Sequence, residues 1–136
     1  MRSSPILQSL KFALRCRDFA ASFDFYTRVL GLAVVDQWQE VDSTGCILAL
    51  SGGQQEALLE ISQVSSQSRR YRPADSAPLE NDKIDLQLRT ASLDACLVAL
   101  EGVWPYDGPK TLPWGGRLIK LRDPDNLQVI LYEGSL

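Results

Sequence analysis

The residues of this chain that can do chemistry lie on runs in which polar and apolar side chains alternate. Lys11 and Arg15 interleave with Phe12, Leu14 and Cys16; Asp85, Gln87 and Arg89 interleave with Leu86 and Leu88. Glu60 sits between Leu59 and Ile61, while Gln128 and Tyr132 flank the segment holding Val129 and Leu131. A period of two places each polar set on one face of a strand and the apolar set on the other. Two carboxylates on such faces, Glu60 and Asp85, are the candidates for general acid and base if one of them loses its water. The chain contains no histidine. A Ser-His-Asp nucleophile is therefore excluded, and so is a metal centre of two histidines and one carboxylate. Trp38, Trp104, Trp114 and Tyr106 fall at strand edges or in loops, where a flat ring with one polar handle suits stacking on a planar ligand. Gly52-Gly53 and Gly115-Gly116 lack the spacing of a phosphate-cradling loop and read as turns.

The elements that position these residues are written twice. Leu14-Arg15 followed by Ala21 returns as Leu88-Arg89 followed by Ala95, an offset of 74 residues. Leu7 to Cys16 reads as a strand, and Asp18 offers a carboxylate to cap a helix carrying Phe19, Phe23, Tyr26 and Leu30 at helical spacing, with Gly31 as its stop. Strands over Ala33–Trp38, Cys46–Leu50 and Ala57–Ser62 follow, separated by turns at Asp42-Ser43-Thr44-Gly45 and Ser51-Gly52-Gly53. The second copy opens with a strand near Ile84, then a helix capped by Ser92 and stopped by Gly102, then strands at Val103–Tyr106, Arg117–Arg122 and Gln128–Glu133. Asp123-Pro124-Asp125-Asn126 turns the chain between the last two. The fold class is thus α+β, two β-α-β-β-β modules: module one over residues 6–62, module two over 83–134, and a linker at 63–82 rich in Ser, Gln, Arg, Pro and Asp.

At 136 residues the chain is one domain built from two small modules. The net charge of −3 argues against a nucleic-acid partner, and no apolar run approaches the length of a membrane span. Cys16, Cys46 and Cys96 are odd in number and scattered in apolar runs, so they read as reduced, packed thiols and point to the cytoplasm.

Phe25-Tyr26-Thr27-Arg28-Val29-Leu30-Gly31, Pro113-Trp114-Gly115-Gly116-Arg117 and Arg122-Asp123-Pro124-Asp125-Asn126 carry a resemblance to a known family. They are similar to the F-Y-x-x-x-L-G helix, the P-W-G-x-R segment and the D-P-D turn of the vicinal oxygen chelate superfamily, in its glyoxalase and bleomycin-resistance branch. The resemblance covers nearly the whole chain. It implies a cupped mixed sheet around a cavity, commonly completed in a homodimer. It also implies where a metal would be held, through first-strand and last-strand positions that correspond here to Lys11, Glu60, Asp85 and Ile130. A charged ammonium and the hydrocarbon side chain of isoleucine have no lone pair to give, so no metal and no other cofactor is expected, and Lys11 is expected to pair with Glu60 or Asp85.

The expected cavity is lined by Lys11, Arg15, Trp38, Glu60, Asp85, Gln87, Arg89, Trp104, Tyr106, Trp114, Arg117, Gln128 and Tyr132. The partner implied is a small molecule, planar or cationic, held by a metal-independent binding protein like those that sequester antibiotics. The alternative is a lyase, isomerase or dioxygenase of the same superfamily working through Glu60 and Asp85.

Overall fold

The structure, a computed structural model, describes residues 5–50, 57–78 and 83–135. The chain divides into two compact units, Met1–Asp75 and Ser76–Leu136. The first contains β1 (Leu10–Arg15), α1 (Phe19–Asp24) continuing into one π-helical turn (Phe25–Val29), β2 (Ala33–Gln39), β3 (Ser43–Ala49) and β4 (Ala57–Val64). The second contains β5 (Asp85–Arg89), α2 (Leu93–Leu100), β6 (Asp107–Thr111), β7 (Arg117–Arg122) and β8 (Gln128–Glu133). Each forms a four-stranded sheet, in the orders β1-β4-β3-β2 and β5-β8-β7-β6. In each the first strand runs parallel to the last and the remaining pairs are antiparallel. A crossover helix is what a parallel pair of this kind needs, and both copies supply one.

The helices start where their caps dictate. Asp18 Oδ1 accepts the backbone N–H of Ala21 at 3.2 Å, and Ser92 Oγ accepts that of Ala95 at 3.1 Å, each satisfying a donor that the first turn leaves open. Gly31 and Gly102, at φ 76° and 70°, take the left-handed conformation that ends each helical segment. A second fastening comes from the last strands. Gln63 Oε1 accepts the N–H of Phe19 at 3.0 Å and Glu133 Oε2 that of Leu93 at 2.7 Å, so both helix starts are pinned to the end of their own module's final strand.

The cores lie between helix and sheet. In the first unit Phe25 and Tyr26, packed edge to face at 4.9 Å, are fully buried, as are Cys46, Leu48 and Ile61. In the second, Leu93, Leu100, Ile119, Leu121 and Val129 are buried. Burying one such side chain contributes about 1.5–3 kcal/mol. Cys16, Leu59 and Leu131 are buried on the same apolar faces, whereas Leu14, Leu86 and Leu88 are half-buried and Phe12 is 44 % exposed. The reason is position: α1 packs on β4 and α2 on β8, while β1 and β5 are edge strands.

Several boundaries differ from the sequence-based expectation. The first strand begins at Leu10 rather than Leu7. The turn expected at Asp42–Gly45 is tighter, because Glu40 N–H donates to Ser43 O at 2.8 Å and β3 already starts at Ser43. β4 runs on through Val64 into the expected linker, and residues 65–78 hold neither helix nor strand. Val103–Tyr106 is not a strand. Leu100 O accepts the N–H groups of both Val103 and Trp104, at 2.9 and 3.2 Å, which prolongs the helix end and delays the strand to Asp107. The Ser51-Gly52-Gly53 turn lies outside the described residues. The Asp123–Asn126 turn is present, with Asn126 at φ 69° and Asp123 Oδ1 accepting the N–H groups of Asp125 and Leu127, each at 2.8 Å.

Candidate functional site

Strand register decides which side chains share a face, because directly paired residues point the same way. On the first sheet the face away from α1 carries three rows. They are Lys11, Leu58, Ala49 and Ala33; then Ala13, Glu60, Ile47 and Asp36; then Arg15, Ser62, Gly45 and Trp38. Lys11 and Glu60 are diagonal neighbours across the small Ala13, and Lys11 Nζ lies 3.1 Å from Glu60 Oε1. Glu60 is the less accessible partner, with 23 % of its side chain exposed against 44 % for Lys11. Arg15 is exposed at the far edge. Trp38 is laid over Gly45, its Nε1–H donating to Ser43 Oγ at 2.7 Å.

On the second sheet the corresponding rows are Asp85, Gln128 and Arg122; then Gln87, Ile130, Lys120 and Asp107; then Arg89, Tyr132, Leu118 and Lys110. Gln128 Nε2 donates to Asp85 Oδ1 at 3.0 Å. Ile130 is buried in the middle row. At the β6–β7 side this face opens into a cleft of about 410 Å³ whose walls include Trp104, Tyr106, Asp107, Lys120, Arg122 and Gln128. Trp104 and Tyr106 are half-buried there, and the Trp104 indole N–H is committed to Arg122 O at 2.9 Å.

The structure therefore assembles the expected residues into separate groups. Lys11, Arg15, Glu60 and Trp38 share the open face of the first sheet; Asp85, Gln87, Arg89, Gln128 and Tyr132 share that of the second, and Trp104 and Tyr106 join Gln128 in its cleft. Arg117 and Trp114 are not brought to either group. Arg117 lies on the α2 side of β7, with Nε 2.7 Å from Glu133 Oε1 and Nη2 3.1 Å from Asp94 Oδ1. The same contacts hold the Glu133 carboxyl below its ordinary range, the Leu93 N–H first and the Arg117 guanidinium second, and hold the Arg117 guanidinium above its own. Trp114 is half-exposed and packs over Gly116 and Gly134, where an added Cβ would meet its ring. Lys120, Arg122 and Asp107 were missed, although the alternation of Arg117-Leu118-Ile119-Lys120-Leu121-Arg122 held the signal for the first two.

The residues at the four positions matched to family metal ligands do not fit a metal. Lys11 and Ile130 offer no lone pair, Glu60 is held by the Lys11 ammonium and Asp85 by the Gln128 amide. Among the described residues no three His, Cys, Asp or Glu side chains gather into a possible metal-binding group.

This architecture defines the class. The family description of the glyoxalase/bleomycin resistance protein/dioxygenase superfamily matches residues 8–131, and the chain belongs to that superfamily. Among solved structures it is similar to TnmS3, an antibiotic binding protein from Streptomyces sp. CB03234, with 25 % identity, 98 % of this chain and 100 % of that chain covered, and a TM-score of 0.72. A glyoxalase/bleomycin resistance protein from the same organism is also similar, with 25 % identity, 90 % and 97 % coverage and a TM-score of 0.66. The Leishmania major glyoxalase I, 16 % identical over 94 % of this chain and 87 % of that one with a TM-score of 0.70, shares the fold. No curated protein matches the sequence. Among the described residues no helix is long and apolar enough to cross a membrane.

Proposed function

We propose that this protein binds a small organic molecule without a metal and without transforming it. The observation that carries the reading is the Lys11–Glu60 contact at 3.1 Å. It places an ammonium where the family arrangement calls for a donor, and directs it at one of the two carboxylates left. Two things support a guest molecule instead. The second sheet carries a 410 Å³ cleft with two aromatic walls, within the size range of small-ligand sites, and the similar TnmS3 is an antibiotic binding protein. Leu10 and Phe12, exposed on edge strand β1, support assembly as a homodimer, and three free cysteines support a reducing cytoplasm.

Elemental analysis and thermal-shift assays test the reading together. The expected result is far less than one transition metal per chain, and a panel of planar aromatic compounds that raises Tm equally with and without EDTA, since a ligand of the folded form stabilises it. Stoichiometric metal whose removal abolishes the shift, or turnover lost in Glu60→Gln, would favour the carboxylate-based enzyme instead.

A further inference from the structure

The charges in the wall of the second sheet's cleft cancel: Lys120 and Arg122 stand against Asp107 and Asp123. The two acids differ in what they have left to give. Asp123 is buried and turned into its own loop, where Oδ1 accepts the N–H groups of Asp125 and Leu127. Asp107 is exposed at the rim, and its carboxylate makes no hydrogen bond or ion pair among the described residues. The same holds for the Lys120 ammonium, although Asp107 and Lys120 are register partners on β6 and β7. Side chains paired in this way share a face and start about 5 Å apart at Cβ. Arg122 follows Lys120 by two residues on the same side of β7; it spends one N–H on Asn126 O at 3.1 Å and keeps its other donors. An unmatched anion and an unmatched cation thus stand side by side in a wall that is neutral as a whole.

We infer that this cleft takes a zwitterion of the aromatic α-amino acid class, its ammonium on Asp107, its carboxylate on Lys120 and Arg122, and its ring along Tyr106. A wall without excess charge gives no advantage to a cation or an anion as such. What it offers is opposite charges at short range, and an α-amino acid carries its own two charges on one carbon. Both contacts are charge-assisted hydrogen bonds, stronger than neutral ones. A molecule with one charge satisfies one side of the wall and brings that charge close to a like one on the other side. Tyr106, half-buried in the same wall, supplies the flat apolar flank that a ring needs. The cleft, at about 410 Å³, has the volume of a small-molecule site.

The inference rests on the binding function proposed above, and NMR titration of the isotope-labelled full chain with three probes that share one ring system tests it separately. L-tryptophan carries both charges, indolepropionate lacks the ammonium and tryptamine lacks the carboxylate. L-tryptophan is expected to bind about tenfold or more tightly than either of the others, as loss of a charged hydrogen bond dictates. Asp107→Asn should cost L-tryptophan about tenfold without weakening indolepropionate, and Lys120→Gln should cost it about as much without weakening tryptamine. Arg28→Gln, which removes a cation from α1's exposed Asp24 pair, is expected to change none of the three. A singly charged probe that binds as tightly as L-tryptophan, or L-tryptophan affinity indifferent to both cleft variants, overturns the inference and leaves the binding function standing. Saturable binding by none of the three also overturns it, and the binding function then stands or falls on the thermal-shift panel.

Discussion

The indole of Trp38 lies so closely on Gly45 that a Cβ built there would sit 2.3 Å from ring carbon Cζ2 and 2.8 Å from the carbonyl oxygen of Ile61. The two are register partners on β2 and β3, so the contact is a cross-strand pair in which one member is all surface and the other all clearance. Trp38 is thus held as part of the sheet. Gly45→Ala should lower stability by about 1–3 kcal/mol, the usual cost of forcing atoms into a packed site, and should change tryptophan emission in the folded state. Urea unfolding followed by fluorescence reads both; an unchanged midpoint would show that the ring swings away without cost.

Glu133 makes the fold sensitive to acid. Its folded value is depressed below the ordinary 4.5, first by the Leu93 N–H and then by Arg117. A depressed carboxylate contributes stability that is complete above its unfolded value and is lost as pH falls through the lower folded value. Glu133→Gln keeps an acceptor for Leu93 but gives up the ion pair. The variant should therefore be less stable than the parent at pH 7, and the gap should narrow as pH falls below about 4.5 towards the depressed folded value. A gap that stays constant as the pH is lowered would remove the carboxylate's charge from the account.

The thiols should react in order of access. Cys46 is fully buried, and burial pushes its thiol up to about 11, so almost none is thiolate at pH 8 and the reagent cannot reach it. Cys96 is half-buried at the α2 surface, its Sγ 3.5 Å from Thr90 Oγ1. Iodoacetamide followed by mass spectrometry should mark Cys96 first, and Cys46 only after urea is added. Early labelling of Cys46 would mean that β3 opens locally.

What could be read from the sequence was whatever depends on near neighbours. Asp18 and Ser92 announce helix starts because a cap acts over three residues, and Arg117–Arg122 and Gln128–Glu133 announce strands because alternation is local. Val103–Tyr106 failed as a strand because its first two N–H groups are taken by Leu100 O, a competition that apolar composition does not display. Arg117 was expected in the cavity, yet it shares parity with Ile119 and Leu121, both buried beneath α2. Parity alone would have exchanged it for Lys120 and Arg122. Gln63 was legible only as the first polar residue of a linker, since its role on α1 depends on a residue 44 positions away. Trp104 reaches the same cleft as Gln128 because its indole N–H bonds Arg122 O and Arg122 pairs with Gln128 across β7 and β8, links that no spacing along the chain encodes.

The uneven distribution of charge has a consequence for approach. At long range a charged molecule meets the net charge of −3; within a few ångströms of the β7 face it meets Lys120 and Arg122 beside Asp107 and Asp123. The far field is screened first, because the Debye length is about 10 Å at 0.1 M salt and near contacts lie inside it. Moderate ionic strength should thus mute the overall charge while sparing the local pattern on that face, so that a molecule arriving there is sorted by its fit to the pattern rather than by its sign.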